Sequence, residues 1–187
     1  MRKLFSYLLF IILVFGAIFS VIFVFSDYYN VEKNDNNKLG EFENGQKYEV
    51  FKTGEFEVKF PYWPKIKEEY LVKFENLRFA SVNDGCSFMI STSSIPADLS
   101  FKEGVERLIE EQLKNTESVI NVKEITDNSS HLEIDITENG NTLTNVSYDF
   151  LTNSGEIYGL GFASEKSNFE KSCRPFIQEV IDSIKIN

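Results

Sequence analysis

Leu4 to Phe25 is a run of 22 residues without one charged side chain, interrupted only by Ser6, Tyr7, Gly16 and Ser20. As a helix it spans roughly 33 Å, enough to cross a hydrocarbon core of about 30 Å. A removable signal carries a shorter apolar stretch, about 7–15 residues, ended by small residues. Val24-Phe25-Ser26 and Ile18-Phe19-Ser20 match such an ending poorly, and both sit late in or inside a run that is already too long. Residues 1–26 are therefore expected to form a cytoplasmic start and a retained transmembrane anchor. Arg2 and Lys3 precede the run and keep the N-terminus cytoplasmic by the positive-inside rule; Lys33 and Lys38 blunt the bias without reversing it. The expected protein is single-pass in the cell membrane, meets the bilayer through residues 4–25, and carries the rest of the chain on the outer side.

About 160 residues follow the anchor, which suits one domain with its own core. Arg2 and Lys3 taken from the chain's 19 basic residues leave 17 against 29 acidic ones, a net charge of −12 for the exported part. Such a surface repels nucleic acid and anionic headgroups, so no nucleic-acid partner is expected. No cofactor is expected either. The only cysteines are Cys86 and Cys173, and in an exported domain such a pair can oxidise. With no CxxC and one histidine, His131, a structural zinc site cannot be assembled from its usual ligands. Asn128 and Asn145 head N-x-S sequons and are candidate glycosylation acceptors.

Residues 27–47 are polar, Asn-rich and aperiodic, as a juxtamembrane linker is; the domain is expected over 48–187. Phe56–Pro61 alternates like a strand, and Asn83-Asp84-Gly85 between two apolar runs marks a hairpin. Ser100 and Glu103 form a capping box ahead of a helix with Phe101, Val105, Leu108 and Ile109 on one face. Leu132, Ile134 and Ile136 alternate, as do Val146, Tyr148 and Phe150. Their apolar sides are expected on one face, which requires a three-residue loop at Asn139–Asn141 and sets Ile134 opposite Val146 and His131 opposite Asp149; the other, polar face then carries His131, Glu133, Asp135, Asn145, Ser147, Asp149, Gly159 and Gly161. A loop at Asn153–Gly155 sets Tyr148 opposite Leu160 and Phe150 opposite Tyr158. The closing helix is expected to start at Ser172 as N-cap, because Pro175 fits only a first turn.

The alternating "FEVKFPYW", the capped helix, the meander with Tyr148 and Tyr158, and the closing "FIQEVIDSIKI" together resemble the PsbP-like group and its DcrB-type relatives. The resemblance covers about Tyr48 to Ile186. It implies an α+β fold: a central antiparallel sheet flanked by two main helices in an α/β/α sandwich, here behind one transmembrane helix. It also implies a class of function, the non-enzymatic extracytoplasmic binding or accessory domain that supports a membrane-associated partner.

The same residues suggest two sharper chemistries. Glu133, Asp135 and Asp149 gather carboxylates for a calcium-like ion, although a flat sheet spaces next-but-one residues by roughly 7 Å. His131 facing Asp149 beside Ser147 would supply part of a hydrolytic triad, without the sharp turn or oxyanion donors that reaction needs. Tyr62 and Trp63 beside two prolines either contact a protein partner at the membrane or fold under the sheet as core.

Overall fold

Two glycine-assisted turns set the strand pairing. At Asp84-Gly85 both central residues have positive φ, 46° and 81°, so Asn83 pairs directly with Cys86 in a tight hairpin. At Gly155, φ is 87°, and the hairpin it closes sets Tyr148 opposite Leu160 and Phe150 opposite Tyr158, as expected from the side chains. The computed structural model describes residues 31–32, 40–42, 45–66, 71, 76–115, 118–138 and 140–187. The expected anchor at residues 4–25 lies outside them; among the described residues no helix is long and apolar enough to cross a membrane.

Twelve strands and three helices occur among the described residues. In chain order they are β1 (Val31–Glu32), β2 (Gly40–Glu41), β3 (Lys47–Lys52), β4 (Phe56–Pro61), β5 (Lys65–Ile66), β6 (Leu77–Asn83) and β7 (Cys86–Ser94). Then come α1 (Phe101–Asn115), β8 (Ser118–Ile125), β9 (Ser129–Glu138), β10 (Asn141–Leu151), β11 (Glu156–Glu165), α2 (Lys166–Ser172), α3 (Arg174–Asp182) and β12 (Lys185–Ile186). The large sheet runs β1-β5-β6-β7-β11-β10-β9-β8, and a second sheet runs β12-β4-β3-β2. Every pairing is antiparallel. The fold is α+β, but the expected α/β/α sandwich is modified. The opening strands leave the central sheet and build a small sheet, which shares one layer with α2 and α3. Two pieces of the stretch read as linker, β1 and β2, are strands of these sheets.

The β9–β10 register differs from the expectation. Glu138 pairs directly with Asn141, so the loop has two residues, Ile134 faces Asn145, Val146 faces Glu133 and His131 faces Tyr148. The premise of one shared apolar face was wrong. Leu132, Ile134 and Ile136 pack with Phe101 and Val105 of α1 and with Ile157. Val146, Leu160 and Phe162 point the other way, into the main core with Phe56, Val58 and Phe60 of the small sheet and Ile177 and Val180 of α3. Each strand keeps its own alternation, and both faces are covered.

The main core is aromatic: the Phe56 and Tyr158 rings stack with centroids 4.5 Å apart, and Phe88 lies 5.0 Å from Phe162. At its centre Cys86 and Cys173, both fully buried, are joined by a disulfide, with Cα atoms 5.2 Å apart. The 87-residue separation makes the bond worth roughly 4–5 kcal/mol in the chain-entropy model, an upper figure. The closing helix is broken at Cys173, because Pro175 has no N–H to continue the ladder. Ser172 is the last residue of α2 rather than a cap; its hydroxyl donates to the Asn168 carbonyl at 2.9 Å. The capping box at α1 forms as expected, with Glu103 N–H reaching the Ser100 hydroxyl at 3.3 Å and Ser100 N–H reaching the Glu103 carboxylate at 2.9 Å.

The two-faced register has a direct test in urea unfolding. Ile134→Ala should cost about 2–5 kcal/mol and Val146→Ala about 2 kcal/mol, and the double variant should be additive within about 0.5 kcal/mol. A truncation without effect at either site would mean that its face is wet.

Candidate functional site

On the α1 side of the large sheet two apolar clusters are separated by a polar stripe. One is the α1 cluster; the other comprises Ile66, Leu71, Leu77, Ala80 and Met89. Between them β10 presents Asn145, Ser147 and Asp149, while β11 opposite presents Ala163, Gly161 and Gly159. Glycine in a strand interior often marks a close approach, and both glycines do so here. A Cβ on Gly159 would lie 2.8 Å from the Ser91 hydroxyl and 2.9 Å from Asp149 Oδ1. A Cβ on Gly161 would meet Asn145 Oδ1 at 3.6 Å and Met89 at 3.7 Å. Side chains of β7 and β10 thus close over the two glycines, and the stripe is a row of hydroxyl, amide and carboxyl groups between the two clusters.

Its electrostatics are set by burial. Ser130 donates to Asp149 Oδ2 at 2.8 Å. Burial nonetheless pushes the Asp149 carboxyl up to about 6, against the lowering effect of that hydrogen bond. Asn145 is 2% exposed, and neither its amide nitrogen nor its oxygen has a protein partner. The stripe therefore holds a buried amide without a protein partner at one end and a carboxyl group that changes charge near pH 6 at the other.

The opposite face separates the remaining candidates. His131 stacks on Tyr148 with centroids 4.1 Å apart, so it is on the other side of the sheet from Asp149. Burial lowers the imidazole pKa, opposed by Glu133 and aided by Lys123 and Arg174. The expected His131–Asp149 pair does not form, because its register does not. The carboxylates also part company. Glu133 pairs with Arg174 at 3.0 Å and Lys123 at 3.3 Å, Asp135 pairs with Lys166 at 2.6 Å, and Asp149 faces α1. Burial raises Asp135, but the hydrogen bonds from Lys166 and Thr144 outweigh it and leave its pKa lowered. Among the described residues no group of three His, Cys, Asp or Glu could hold a metal ion.

Trp63 is core, 4% exposed and edge-on to Phe176 at 5.0 Å, which corrects its reading as a partner contact; Tyr62 beside it is half-buried. Asn128 is exposed in the β8–β9 turn, held by the Thr126 hydroxyl at 3.0 Å. Asn145 is too buried to serve as a glycosylation acceptor in the folded domain. What the residue pattern misses is the burial of this row. Its signal is two glycines spaced i, i+2 along β11 opposite an Asn-x-Ser-x-Asp row on β10, which alternation alone places on a wet face.

No protein-family model matches the chain, and no curated protein matches it. Solved structures resemble it. The Ran-binding protein Mog1p of Saccharomyces cerevisiae matches with TM-score 0.49 and 13% identity, over 81% of this chain and 95% of that one. A Pseudomonas aeruginosa protein of unknown function, described as a putative regulator, matches with TM-score 0.41 and 13% identity, over 66% of this chain and 86% of that one. LpqN, involved in cell envelope biogenesis of Mycobacterium tuberculosis, matches with TM-score 0.42 and 8% identity, over 87% of this chain and 96% of that one.

Asp149 supplies a pH test. Its folded pKa of about 6 lies above the unfolded value of about 3.9. The native state therefore holds the proton more tightly, and this group's contribution to stability is lost as pH rises from about 4 to about 6. Asp149→Asn removes that slope. Relative to wild type, the variant should gain roughly 1–3 kcal/mol between about pH 4 and pH 7 in urea unfolding. Identical pH dependence in the two proteins would place the carboxyl in water.

Proposed function

We propose that this chain is a membrane-tethered, PsbP-like domain that works outside the cytoplasm as a non-catalytic binding or accessory module for a membrane-associated protein. One observation carries the reading. A chain with 22 uncharged residues at Leu4 to Phe25 closes its main core with a disulfide between Cys86 and Cys173. Such bonds persist in oxidising compartments and are rare in cytosol. The polar row of Asn145, Ser147 and Asp149 supports a binding role, since the Asn145 amide has no protein partner. The calcium-like alternative loses its ligand set, with two carboxylates already ion-paired on one face and the third on the other. The hydrolytic alternative loses its imidazole to the wrong side of the sheet.

The tether is tested by intact mass on the membrane fraction. A chain beginning at Met1 or Arg2 and resisting carbonate extraction is expected; a mature start near Val21 or Asp27 in the soluble fraction would sink the proposal. Mild detergent extraction followed by crosslinking then reads the partner: a stoichiometric protein supports the accessory role, and turnover of a substrate by the isolated domain refutes it.

A further inference from the structure

The outer face of the small sheet is a basic island on an acidic domain. The side chains that alternate away from its core are Tyr48, Val50 and Lys52 of β3, Glu57 and Lys59 of β4, and Lys185 of β12. Lys52 and Lys185 pair with Glu57 at 2.6 and 2.7 Å, and Lys59 sits 4.8 Å from the centre of the Tyr48 ring. The Lys52 and Lys185 side chains are 65% and 61% exposed, whereas that of Glu57 is 15% exposed. The ammonium groups stand outward and the carboxylate is sunk between them. Three lysines against one carboxylate leave two positive charges here, while the exported chain as a whole carries −12. Val50, 48% exposed, adds an apolar contact at the centre of the island.

The strand that follows the tether is linked to the small sheet. β1 pairs with β5, and Lys65 of β5 reaches Glu49 of β3, so Val31 lies one strand away from the ion pair that joins the two sheets. Phe25, the end of the apolar run, precedes Val31 by six residue steps, at most about 20 Å of extended chain. A domain of this size is roughly 40 Å across. So short a tether holds one flank of the domain against the headgroups, and the small sheet is beside it. The rest of the acidic surface is repelled by anionic lipid, which leaves the basic face as the one to turn inward.

We propose that this face docks the domain onto the anionic headgroups of its own membrane, a reading that rests on the tethered placement proposed above. Docking fixes the domain's orientation and presents the opposite flank to a partner.

The test uses the full-length chain reconstituted in two vesicle preparations, one of phosphatidylcholine with phosphatidylglycerol and one of phosphatidylcholine alone. A pulse of amine acetylation, read residue by residue by mass spectrometry, measures lysine access. Lys52, Lys59 and Lys185 should react about fivefold more slowly in the anionic vesicles, with the protection lost in high salt. Lys102 on α1 and Lys123 on β8 should react alike in both and serve as internal controls. Equal rates at the three lysines in a carbonate-resistant chain overturn the docking and leave the tether standing. A chain that washes off in carbonate overturns the tether and the docking with it.

Discussion

The bond between Cys86 and Cys173 organises the rest of the fold around it. It ties the first residue of β7 to the break between α2 and α3, so the segment it encloses contains α1 and the entire β8–β11 meander. Strands from both sides of that covalent loop, β2, β3 and β4 from before it and β12 from after it, come together as the small sheet and close the core. Phe56, Val58 and Phe60 then pack against Phe88, Ile90 and Phe162 across the bond. Ser183 secures the last joint: Lys59 N–H donates to its hydroxyl at 2.9 Å, which in turn donates to the Val180 carbonyl at 2.6 Å.

Local chemistry was legible in the residues, and shared faces were not. Positive-φ turns at Asp84-Gly85 and Gly155, the capping box at Ser100 and Glu103, and the proline-limited start of α3 all follow from conformational rules that act over a few residues. The β9–β10 register failed because alternation states that each strand has an apolar side but not that neighbouring strands turn it the same way. Burial on both faces removes that restriction. In a sheet with α1 on one side and a second sheet on the other, a valine may sit directly opposite a glutamate. The small sheet was hidden for a related reason. Phe56–Pro61 reads as a strand, but nothing within it says which sheet it joins; that depends on β12, more than a hundred residues away.

The site was legible only as ingredients. Asn145, Ser147, Asp149, Gly159 and Gly161 were all visible as a polar face, yet the wrong register added His131, Glu133 and Asp135 to them. Once the register is corrected the two sets fall on opposite sides. One becomes a network of ion pairs around Arg174, which also lies 5.0 Å over the Phe169 ring and braces α2 and α3 against β9. The other becomes a buried polar row whose unsatisfied amide and displaced carboxyl pKa are properties of packing, which only the assembled sheet reveals.

The proposed compartment and the closure of the core meet in the oxidation state of the two cysteines. The direct measurement is a thiol count on the full-length protein from its native host, alkylated at harvest and denatured without reductant. The disulfide, in the proposed exported domain, predicts no free thiol in a monomeric chain, and two after reduction. Two free thiols per chain before reduction would contradict both the covalent closure of the core and the placement of the domain outside the cytoplasm.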